Sequence, residues 1–123
     1  MPTDPEPVTL STIVHRAVVV VDPEGHAGIE DLLEPFEDDD EPVGSYGAEI
    51  AAQRIAEEAG KLDPQAEDPA VQLAAAVATY LAFRRDEVDG EPHELLALAA
   101  RAEFAGHPPD DVRARLAELG VDR

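Results

Sequence analysis

In a chain without cysteine, metal or acid–base chemistry falls to histidine and the carboxylates, and this one has four histidines: His15, His26, His93 and His107. Histidine is the commonest metal ligand and a general base near neutral pH. His26 has a carboxylate at helical i, i+4 spacing, Glu30, and Glu34 extends that face by a further turn. With His15 on the preceding segment, the set His15, His26, Glu30 and Glu34 would hold a divalent metal if two helices brought it together. That is the constellation of a metal-binding protein or a metal-dependent hydrolase. Neither HExxH nor ExxH spacing occurs, however. The preferred reading leaves His26 in a turn beside solvated acids, with no metal and no other cofactor assigned.

The remaining chemistries are weaker still. Asp22, Glu24 and His26 fall at positions 1, 3 and 5 of a calcium loop, but Ala27 stands where the loop needs glycine and Leu33 where it needs a bidentate glutamate. Ser11 precedes His15 by four residues with no strained turn of the kind nucleophile motifs use. Gly44-Ser45-Tyr46-Gly47 is too short for a phosphate loop and has no lysine after it. Glu57-Glu58-Ala59-Gly60-Lys61-Leu62 resembles a stretch of the all-α MazG-type nucleotide pyrophosphohydrolases. That resemblance implies an ExxE pair and, on the next helix, an ExxD pair gathering magnesium. Lys61 stands where the second glutamate of the first pair would fall, and the next helix has no ExxD pair. No catalytic residue is assigned, and the expectation leans away from an enzyme.

The charge is the second source of inference. Among 123 residues, 28 Asp and Glu stand against 9 Lys and Arg, for a formal net charge of −19, and Lys61 is the only lysine. Such a chain excludes direct nucleic-acid binding, which needs clustered cations that release counterions from phosphates. It also fits anionic membranes poorly. Two explanations of the excess remain. One is adaptation to a concentrated-salt cytosol, where the Debye length falls to about 3 Å at 1 M and self-repulsion is screened by the solvent's cations. The other is an acidic surface that captures a basic partner. Adaptation is preferred, because the acids are spread over every segment. Only Glu37, Asp38, Asp39, Asp40 and Glu41 are dense enough to suggest an acidic contact patch.

The elements that position these residues read as helices throughout. Residues 1–7, rich in proline, read as a disordered tail, and residues 8–123 as one helical domain with an acidic linker at 37–44. Val8 to Val21 is β-branched enough to suggest a strand. Yet Leu10, Ile13, Val14, Ala17, Val18 and Val21 form a helical stripe, with Thr9 as N-cap. A second helix spans about 27–37, kinked or ended by Pro35. A third runs over 45–59 on the stripe Ala48, Ala51, Ala52, Ile55 and Ala59, with Gly60 suited to a left-handed C′ position. The fourth, roughly 69–85, opens with Asp68 as N-cap and Pro69 at N1 and is apolar on nearly every face, as a central helix should be. A fifth (92–105) carries the stripe Leu95, Leu98, Ala99, Ala102 and Ala105 and a second face of Leu96, Ala100 and Phe104. A sixth (108–119) ends at Gly120.

The expected architecture is therefore an all-α, single-domain bundle of about six helices around an alanine-rich central helix. The longest uncharged run, Pro69 to Phe83, is fifteen residues, short of the roughly 18–20 residues of a bilayer span, so a cytoplasmic protein is expected. The function that fits is a non-enzymatic interaction or regulatory module, binding another protein or a second copy of itself, in a high-salt cytosol.

Overall fold

The computed structural model describes residues 8–25, 28–65, 67–105 and 107–121. The expected tail at 1–7 and His26 lie outside them. Helix α1 covers Leu10–Val21, capped by the Thr9 side chain, which accepts from the Thr12 amide at 3.2 Å. Every member of its predicted stripe is buried. Intrinsic helix propensity disfavours valine by well under 1 kcal/mol, whereas burying each such side chain contributes about 1.5–3 kcal/mol. Packing therefore decides helix over strand.

The second segment is helical only as two short 3-10 pieces, Ile29–Leu32 and Glu34–Phe36, with Pro35 in the first turn of the latter. Its ring replaces a backbone donor, so no continuous α-helix forms. Ile29, Leu32 and Phe36 are nevertheless buried. A further 3-10 turn, Val43–Ser45, follows the acidic run.

Helix α2 spans Ala48–Leu62. It passes through Gly60, which is helical here and not the left-handed terminator the sequence suggests, and ends at Leu62 with Asp63 as its C-cap. Of its predicted stripe only Ala51 and Ile55 are fully buried.

Helix α3 spans Pro69–Phe83, with the Asp68 carboxylate accepting from the Ala70 amide at 3.0 Å. It is the centre of the bundle: α1, α2, α4 (Pro92–Phe104) and α5 (Asp110–Glu118) all pack on it. Its alanines Ala70, Ala74, Ala76, Ala78 and Ala82 are buried, which lets neighbouring backbones come close. A single cluster of buried residues runs through all five α-helices and the 3-10 segments. The molecule is an all-α, single-domain bundle, and no helix among the described residues is long and apolar enough to cross a membrane.

Helix α4 buries Leu95, Leu96, Ala99 and Ala100, so its two predicted faces share the core, while Ala102 and Ala105 face solvent. It stops at Ala105, a non-glycine residue in the left-handed region at φ 52°. Before α4 the chain turns tightly at Gly90, where a Cβ would sit 3.0 Å from the Glu87 carbonyl oxygen and 3.2 Å from Leu95. That same glycine's carbonyl accepts from Arg16 Nη2 at 2.8 Å, tying α1 to the start of α4.

Candidate functional site

The histidine–carboxylate set is not drawn together among the described residues. His15 is exposed on α1, and Glu30 and Glu34 are exposed on the two 3-10 pieces. No group of three or more His, Asp or Glu side chains with metal-binding geometry occurs among the described residues.

The acidic run behaves differently from an open linker. Asp39 forms an ion pair with Arg54 of α2, and its side chain is only 7% exposed. The Arg54 guanidinium in turn lies over the Phe36 ring, 5.7 Å from its centroid, a distance at which a cation is attracted by the ring's negative face. Burial, and behind it the negative field of Asp39, raises the pKa of the Tyr46 hydroxyl above its usual range. Glu41 accepts from the Ser45 hydroxyl at 2.9 Å. Next to it the Val43 amide donates to the Val8 carbonyl at 2.9 Å, and Val43 is fully buried. The segment is thus a strap fastened across the start of α1, with Glu37, Asp38, Asp40 and Glu41 on its outside.

Four arginines are engaged with the fold, while Lys61, Arg84, Arg101 and Arg113 are exposed. Arg16 holds the Gly90 carbonyl, Arg54 holds Asp39, and Arg85 donates to the Ala82 carbonyl at the end of α3. Arg115 reaches from α5 to the Val21 carbonyl at the end of α1. Guanidinium groups at helix C-termini satisfy carbonyls that lack intrahelical donors and oppose the negative end of the helix dipole.

The feature that sequence reasoning missed is an opening over the central helix. Helices α2 and α4 flank α3 but leave between them a strip of α3 made by Gln72, Ala75, Thr79 and Phe83, all partly or wholly accessible. These positions fall at i, i+3, i+7 and i+11, one face of a helix. On the α2 side lies a cavity of about 400 Å³ floored by Ala52, Ala56, Ala59 and Ala75 and closed by Phe104. On the α4 side a second cavity of about 400 Å³ runs past Ala76, Tyr80 and Ala102 to Phe83. Thr79 and Glu103 border both. Phe83 is 54% exposed, the most exposed of the large apolar residues described. In the sequence these side chains read as part of a helix buried all round. Only the arrangement of neighbours reveals that one face stays open.

Comparison with protein-family models, with curated proteins and with solved structures finds no match to this chain.

Proposed function

We propose that this protein is a non-enzymatic interaction module that works in a concentrated-salt cytosol and binds another protein chain through the open strip of α3. The observation that carries this reading is the exposure of Phe83 at the end of one apolar cavity, which shares Thr79 and Glu103 with the alanine-floored one beside it. Contiguous apolar patches rimmed by polar residues mark sites of protein contact. Uncharged surface of this kind gains from burial whatever the ionic strength, while charge repulsion between acidic surfaces is screened in concentrated salt.

The strip is made of uncharged side chains of α3 with Glu103 at its border, and we read it as binding area. The test is a benzophenone side chain placed at position 83 and irradiated in cells. A covalent protein adduct from position 83, with none from the exposed position 117 on α5, is the expected result. Absence of any adduct at 83 overturns the reading.

A further inference from the structure

We infer that the acidic strap, residues 37–45, is a salt-responsive latch: closed over the start of α1 in concentrated salt, it opens in dilute salt while the helical bundle stays folded. The strap carries charge of two kinds. Asp39 turns inward to Arg54, and its side chain is only 7% exposed. Glu37, Asp38, Asp40 and Glu41 are exposed on its outer side, and Glu30, Asp31 and Glu34 stand exposed just before it. Arg54 meets the strap from α2. Arg85 meets it from the turn after α3, where its Nη2 would lie 3.7 Å from a Cβ placed on Gly44.

Salt acts unequally on these groups, because it screens exposed charges strongly and a partly buried pair much less. At 0.15 M the Debye length is about 8 Å, which lets the exposed carboxylates feel one another and the rest of a chain of net charge −19. At 1 M it is about 3 Å. Rising salt therefore removes the repulsion that lifts the strap and leaves most of the Asp39–Arg54 attraction that holds it.

The other fastenings are local. The Val43 amide donates to the Val8 carbonyl at 2.9 Å, Thr9 and Pro42 form an isolated antiparallel bridge, and Val43 is fully buried. Helix α1 keeps its own start without them, through the Thr9 cap and the Ile13 amide donating to the Thr9 carbonyl at 3.0 Å. Opening the strap thus gives up an ion pair, a hydrogen bond and one buried valine, and leaves the interhelical core in place, as a local opening unit does. It uncovers Val43 and frees the Val8 carbonyl, so the apolar surface accessible beside the start of α1 follows the ionic strength. This device is independent of the α3 strip.

The test is amide hydrogen exchange on the full chain, read at Val43 and, as reference for the bundle, at the fully buried Val77 of α3, from about 3 M to 0.2 M KCl over the range in which helicity is constant. Val43 protection is expected to fall by about tenfold more than that of Val77 as salt is lowered. Neutralising the exposed side with Glu37→Gln, Asp38→Asn and Asp40→Asn together is expected to keep Val43 protected in dilute salt. Arg54→Gln is expected to lower its protection at every concentration; should that variant fail to fold, the wild-type chain and the neutralised variant still decide. Val43 and Val77 losing protection in parallel overturns the inference, as does Val43 protection that is indifferent to salt or rises in dilute salt. A salt dependence unchanged by the triple neutralisation overturns it too.

Discussion

Arg115 on α5 donates from Nη2 to the Val21 carbonyl at 2.9 Å, joining the last helix to the end of the first across 94 residues of chain. The same nitrogen stands 3.7 Å from Asp22, whose side chain is 2% exposed, and Nη1 meets Glu118 at 3.2 Å. One guanidinium thus closes α1, neutralises a buried carboxylate and fastens α5.

Substituting this side chain should be costly despite its place in a short peripheral helix. Arg115→Met keeps the apolar stem but removes the charged donors, and a loss of about 2 kcal/mol is expected for hydrogen bonds to charged groups. Arg115→Lys should recover only part of it, since a single ammonium cannot serve a carbonyl and two carboxylates as a planar fork does. Urea denaturation at fixed KCl measures both; equal stability of Arg115→Met and wild type would refute the tie.

The Asp39–Arg54 pair makes a narrower claim about the acidic strap. Asp39 is 7% exposed while Arg54 is 41% exposed, so solvent screens one end and the coupling should stay near 1 kcal/mol. A double-mutant cycle with Asp39→Asn and Arg54→Gln isolates it. In the same experiment Asp38→Asn and Asp40→Asn, both on the outside of the strap, should change stability by less than about 0.5 kcal/mol. Equal effects at all three aspartates would return the run to an unstructured linker.

Ala105 holds a left-handed conformation at φ 52° to end α4. An L-residue with a Cβ is disfavoured there by about 1–2 kcal/mol, against about 0.5–1 kcal/mol of extra unfolded-chain entropy for glycine. Ala105→Gly should therefore stabilise the fold by about 0.5–1 kcal/mol, read as a raised midpoint in urea. A destabilised variant would show that α4 ends otherwise.

The pH dependence has opposite signs at the two ends of the scale. Tyr80 is raised by burial and then by its hydrogen bond to Glu87, at 3.1 Å, and Tyr46 by burial and then by Asp39. With folded values above the unfolded one, their contribution to stability is complete below the unfolded pKa of about 10 and lost as pH rises through the folded values. With two tyrosines and no tryptophan, absorbance near 295 nm should show folded protein titrating at higher pH than protein in urea; coincident curves would contradict this. Glu91 is lowered, chiefly by the His93 amide it caps at 3.1 Å. Its contribution is present above its unfolded pKa and disappears as pH falls through the folded one.

Much of the fold was readable from residue spacing. The α1 stripe, the Thr9 and Asp68 caps and the central place of α3 follow from hydrophobic period and capping chemistry, which are local. The errors arose where tertiary neighbours decide. Pro35 split the second segment into 3-10 turns, and Gly60 stayed helical because nothing local forces a helix to stop at glycine. Asp39 could not be distinguished from Asp38 and Asp40 without knowing that Arg54 faces it. The open strip was hidden for a related reason: Ala75, Thr79 and Phe83 carry no charge to mark them as solvent-facing, and their exposure depends on the gap between α2 and α4.

The proposed division between an acidic exterior suited to concentrated salt and an uncharged strip that makes the contact is tested most directly by the adduct yield from a benzophenone at position 83, measured from about 0.2 M to 3 M KCl over the range in which helicity is constant. If the apolar strip carries recognition, the yield rises with salt as like-charge repulsion is screened. A yield that falls with salt would contradict this and place the acidic surface at the contact.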